Sequence, residues 1–77
     1  MSAALERFSD DVEEIAARSN VFISVTGGYR YPNIIDLDVV GQKMTQEAAD
    51  ALANHFGTQI EVSVSPSGKG EIVRFKR

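Results

Sequence analysis

Tyr29, Arg30 and Tyr31 follow one another directly, behind Gly27-Gly28 and ahead of Pro32-Asn33. Tyrosine and arginine are enriched at binding hot spots because each joins a large, stiff body to a polar tip. In a connecting segment they have little core to fill, so the triplet reads as a binding candidate. The competing reading has one ring folding over a sheet edge or onto Pro32. Lys69, Arg74, Lys76 and Arg77 form a basic cluster near the C-terminus. Such a cluster can contact phosphate. Alternatively, Arg74 and Lys76 pair with Asp36, Asp38 and Glu61 on neighbouring strands.

Other residue types argue against catalysis. Asp36 and Asp38, two apart on one strand face, suit a hard cation, but no oxygen-rich loop accompanies them. Cysteine is absent and His55 is the only histidine, which removes disulfides, thiolate metal sites and cysteine nucleophiles. His55 falls near a helix C-terminus, where a cation is favoured electrostatically. Gly27-Gly28 and Gly68-Lys69-Gly70 lack the spacing of phosphate loops and precede strands rather than helices. No nucleophile has a titratable partner from which a catalytic constellation can be built. The chain therefore reads as non-enzymatic, with no cofactor and no metal.

The elements that hold these residues follow from periodicity. Across residues 3–19, Leu5, Phe8, Val12, Ile15 and Ser19 are spaced 3, 4, 3, 4, which is one stripe of an α-helix. Glu6, Asp10, Asp11, Glu13 and Glu14 cover its remaining surface. That acidic face reads as solvated, with a basic partner surface or nucleic-acid mimicry as the alternative. Residues 21–26 alternate as a strand, and residues 27–33 read as a long hairpin loop. Residues 34–40 form a second strand, with Ile35, Leu37 and Val39 on one face and Ile34, Asp36, Asp38 and Val40 on the other. Thr45 is an N-cap for a second helix whose stripe is Ala48, Ala49, Leu52, Ala53 and Phe56, and Gly57 stops it. Residues 58–65 and 71–77 complete two more strands around a turn at residues 66–70.

The result is an α+β domain spanning residues 1–77: a two-layer α/β sandwich in the order α-β-β-α-β-β, with two helices on one face of a four-stranded antiparallel sheet. Two strand orders fit this pattern, 1-2-4-3 and 2-1-3-4. Charge favours the first, because it sets Arg74 and Lys76 between the acidic residues of strands 2 and 3. A right-handed crossover through the second helix leaves a gap for strand 4 in that order. It is the arrangement a ferredoxin-like sheet takes when its first strand moves to the C-terminus, a likeness of fold that carries no function.

At 77 residues the chain has room for one core, and a domain this small gains from a partner subunit. Phe22, Ile34, Val40 and Ile72 all fall on the face without helices, which marks it as a self-association or partner surface. No apolar run reaches the length of a membrane span, and residues 1–8 lack the pattern of a secretory signal. A cytoplasmic location is expected, with no membrane contact. A net charge of −3, and the absence of aromatics from the open face of strands 2 and 4, count against nucleic acid.

The sequence thus predicts a small protein–protein interaction or regulatory module, an inhibitor or adaptor, acting as a homodimer on a protein partner. Tyr29, Arg30, Tyr31, Phe22, Ile34, Ile72, Arg74 and Lys76 are its predicted binding residues. The alternative is a nucleic-acid-associated protein acting through the basic C-terminal hairpin.

Overall fold

A computed structural model describes residues 3–77 of the protein. Met1 and Ser2, part of the N-terminal stretch considered above, lie outside the described residues. Helix α1, Ala3–Arg18, buries Val12, Ile15 and Ala16 and half-buries Leu5 and Phe8, as the apolar spacing requires. Ser9 is also buried, its hydroxyl donating to the Leu5 carbonyl at 2.8 Å. The helix stops because Asn20 turns left-handed at φ 62°. Asn20 N–H then donates to Ala17 O, and Val21 N–H to Ala16 O, each at 3.0 Å. That Schellman closure turns the chain into the sheet with Val21 and Ala16 both buried.

Four strands follow: β1 Ile23–Tyr31, β2 Ile34–Gly41, β3 Gln59–Val64 and β4 Glu71–Lys76. All neighbouring pairs are antiparallel, and the order is β1-β2-β4-β3, which is the order charge pairing favours. Helix α2, Gln46–Phe56, carries the chain across from β2 to β3. Thr45 caps it by accepting from Ala48 N–H at 3.1 Å, and Gly57 ends it in the left-handed region at φ 63°. Its entry is tied to the sheet by Glu71, whose carboxylate accepts from Met44 N–H at 2.8 Å.

The core lies between the two helices and the sheet. Leu37, Leu52, Val12, Val21 and Val73 are its largest fully buried side chains. At one end, Phe8, Phe56 and Phe75 form an aromatic trio with ring centroids 4.8, 4.9 and 5.7 Å apart. The helices do not reach the far end of β3. Ile60 is half-buried, but Val62 and Val64 on the same strand face are exposed. Period-2 alternation marks a face, and only the reach of the helices decides how far along it is covered.

One expectation is corrected. Residues 27–33 are not a long loop: β1 runs to Tyr31, and Pro32-Asn33 alone form the turn into β2. The glycines belong to the strand because neighbouring side chains crowd it there. A Cβ on Gly28 would lie 2.9 Å from Leu37 Cδ2 and 3.3 Å from Leu5 Cδ2. The pairing register also slips between Val25 and Gly27, leaving Thr26 as an extra residue in β1. A one-residue bulge exchanges the faces of everything beyond it. Strict alternation from Val25 would aim Tyr29 and Tyr31 at the core. The bulge instead places Gly28 against buried Leu37 and sets Tyr29 opposite Asp36.

Candidate functional site

The bulge and the strand order together assemble the face of the sheet that carries no helix. Paired residues share a face, so three consecutive rows can be read across it from the register. One row runs Tyr31, Ile34, Lys76, Gln59; the next Tyr29, Asp36, Arg74, Glu61; the third Gly27, Asp38, Ile72, Ser63. Of the predicted binding residues, Tyr29, Tyr31, Ile34, Ile72, Arg74 and Lys76 are thus brought onto one surface. Tyr29 and Tyr31 are 61% and 51% exposed, large rings with most of their surface in solvent. Ile34, beside Tyr31, and Ile72, between Asp38 and Ser63, are half-buried.

Two predicted residues lie elsewhere. Phe22 is 61% exposed, but it precedes β1 at the opposite end of the sheet, beside Gln42. Arg30 pairs with Ile35, whose side chain packs on the core, so it sits on the helix side while its two tyrosine neighbours sit on the open side.

The charges on the open face are mutually satisfied. Arg74 grips Asp36 with two hydrogen bonds, Nε to Oδ1 at 2.7 Å and Nη2 to Oδ2 at 2.9 Å. This fork geometry is the strong form of a carboxylate pair. The Asp36 side chain is only 13% exposed. The hydrogen bonds from Arg74, joined by its charge, outweigh the cost of burial and hold the Asp36 carboxyl below its ordinary value. The same contact raises the Arg74 guanidinium above its own. Lys76 Nζ reaches diagonally to Glu61 Oε2 at 2.9 Å and lowers the Glu61 carboxyl. Asp38 faces Ile72 rather than a cation. Among the described residues, no group of three His, Cys, Asp or Glu is placed to hold a metal ion. His55 is exposed on the last turn of α2, edge-on to Phe56 at 4.7 Å.

Two features had no signal in the sequence. Glu13, assigned above to the solvated face of α1, is half-buried, and its carboxylate accepts from Val25 N–H at 2.8 Å beside the bulge. It thereby ties helix to edge strand at the point where the ladder is interrupted. The remaining acidic residues of that face include Glu14, paired with Arg18 at 2.9 Å.

The second feature is a cleft of about 340 Å³ at the end of the sheet beside the β1–β2 turn, walled on the helix side and reaching Tyr31 and Ile34 of the open face. It is enclosed by the start of α1, the β1–β2 turn, the end of α2 and the C-terminal end of β4. Leu5, Phe8, Phe56 and Phe75 supply apolar walls, and Arg30 and Arg77 supply charge. These arginines are 47 positions apart in the chain, and only the strand order brings them together.

No helix among the described residues is long and apolar enough to cross a membrane. Comparison of the chain with family models, with curated proteins and with solved structures finds no match.

Proposed function

We propose that this protein is a non-enzymatic interaction module that binds a protein partner through the open face of its sheet. The observation that carries the reading is the exposure of Tyr29 and Tyr31 side by side on that face, next to Ile34. Exposed tyrosines bury large area at low conformational cost when a partner covers them. Beside them, across the middle of the sheet, the Asp36–Arg74 and Glu61–Lys76 pairs present polar groups whose hydrogen bonds are already made.

The same pairs argue against the nucleic-acid alternative. A sheet that binds RNA needs stacking rings together with cations free to meet phosphate. The rings are present on β1, but Arg74 and Lys76 are each engaged by a carboxylate. Approaching phosphates would also meet Asp36, Asp38 and Glu61.

A second copy of the chain is the first partner to consider, since a domain this small gains stability from one. Sedimentation equilibrium and affinity capture from the native host test the reading together, comparing wild type with the Tyr29→Ala, Tyr31→Ala double variant. Both rings are more than half exposed, so the double variant keeps its stability to within roughly 1 kcal/mol. The wild type is expected to self-associate or to retain a partner that the variant loses. Identical behaviour of the two proteins in both assays refutes the reading.

A further inference from the structure

The geometry points to the cleft beside the β1–β2 turn as a binding site for a small organic carboxylate with an apolar body, a medium-chain acyl acid being the type ligand. The site borders the proposed partner surface at the β1–β2 turn, where Tyr31 and Ile34 line both, while its apolar walls lie on the helix side.

Its chemistry is asymmetric in a way that selects one ligand class. The walls are side chains of Leu5, Phe8, Phe56 and Phe75, three of them the rings of the aromatic trio. Arg30 and Arg77 stand at the same cleft, both exposed, and neither makes an ion pair among the described residues. No aspartate or glutamate side chain lines the cleft among the described residues, in a chain whose net charge is −3. Arg74 and Lys76, by contrast, are both neutralised on the open face.

Two uncommitted guanidiniums above an apolar floor favour an anionic head carrying an apolar tail, since a planar guanidinium binds carboxylate through paired hydrogen bonds. Thr58 also lines the cleft, and its buried Oγ1 has no hydrogen-bond partner in the described protein. Buried hydroxyls are ordinarily satisfied, and this one lies beneath the cleft wall without a partner among the described residues. The volume, about 340 Å³, is at the lower end for small-molecule sites and holds roughly eleven heavy atoms at the ~30 Å³ each occupies in liquid water. An eight-carbon acid fits that count.

The test is a titration of the isotopically labelled full chain with octanoate, followed by amide chemical shifts. Octan-1-ol and octylamine serve as uncharged and cationic controls. Saturable shifts at Leu5, Arg30, Ile35 and Thr58 are expected, with millimolar or tighter affinity, which is ordinary for a ligand of this size. Octylamine should produce none. Arg30→Gln and Arg77→Gln should each weaken octanoate by about tenfold, the loss of one charge-assisted hydrogen-bond pair. Should either variant lose its folded spectrum, salt replaces it as the probe. Octanoate affinity for the wild type should then fall with added sodium chloride while octanol affinity holds.

Shifts that never saturate or that scatter over the surface overturn the proposal. So does octylamine binding as well as octanoate, or wild-type affinity in both glutamine variants. N-acetylphenylalanine binding more tightly than octanoate overturns the assignment to an acyl acid. Tyr29 does not line the cleft whereas Tyr31 does, so the single Tyr29→Ala variant, expected to weaken partner binding and leave octanoate affinity unchanged, distinguishes failure here from failure of the open-face reading.

Discussion

Gly28→Ala separates a strand with a bulge from a loop. In a solvent-exposed turn with unstrained backbone, replacing glycine by alanine is neutral or stabilises by about 0.4–1 kcal/mol, because the unfolded chain loses freedom. In β1 the same gain applies, since Gly28 does not adopt positive φ. The new methyl, however, meets Leu37 Cδ2 at 2.9 Å, Leu5 Cδ2 at 3.3 Å and the Asp36 carbonyl oxygen at 3.5 Å. Leu37 has no exposed surface and cannot swing out of the way. Overpacking of this kind costs about 1–3 kcal/mol, so the net expectation is destabilisation by about 1–2 kcal/mol. Leu37→Val removes the crowding atoms and costs about 1 kcal/mol alone. The double variant should then be less destabilised than the sum by about 1 kcal/mol, well beyond the ~0.3–0.5 kcal/mol scatter of independent sites. Urea unfolding measures all four corners of the cycle, since a slope near 1 kcal/mol/M converts each kcal/mol into a midpoint shift of about 1 M. A neutral Gly28→Ala with an additive cycle would return residue 28 to solvent. The bulge would then be lost, and with it the placement of Tyr29 and Tyr31 on the open face.

Two further predictions concern the polar contacts that fasten the sheet. Because Asp36 titrates below its ordinary value in the folded state, its contribution is complete above the unfolded carboxylate range, about pH 4, and is lost as pH falls through the depressed folded value. Asp36→Asn should therefore flatten the acid limb of a stability–pH curve measured by urea midpoint, and an unchanged slope below pH ~4 refutes the assignment. Glu13→Ala removes the acceptor of Val25 N–H, so that amide should lose about tenfold in hydrogen-exchange protection while amides in the centre of β4 change little. Equal protection in variant and wild type would mean that Glu13 is solvated after all.

What the sequence disclosed and what it hid have one physical origin. Helix spacing, the Thr45 cap and the Gly57 stop are local, so they were legible residue by residue. The strand order is not local, yet it was legible because charge supplied a long-range constraint. Asp36, Arg74 and Glu61 alternate in sign only in the order observed, and they stand as direct neighbours in one row. The bulge had no such marker. Thr26 is an ordinary strand residue, and Gly27-Gly28 carry the local signature of a turn. Only the pressure of Leu37 and Leu5, residues remote in the chain, explains why glycine is needed inside a strand there. Glu13 was misread for the same reason, since an acid beside Val12 looks solvated until the interrupted ladder presents an N–H to it. The triplet Tyr29-Arg30-Tyr31 shows what such a shift does to a candidate site. Read as loop, it is one candidate site; read as strand, it divides, the tyrosines facing one side of the sheet and the arginine the other. A single inserted residue upstream therefore decides whether the rings are buried or exposed on the open face. It also decides whether Arg30 belongs with that surface or with Arg77 across the cleft.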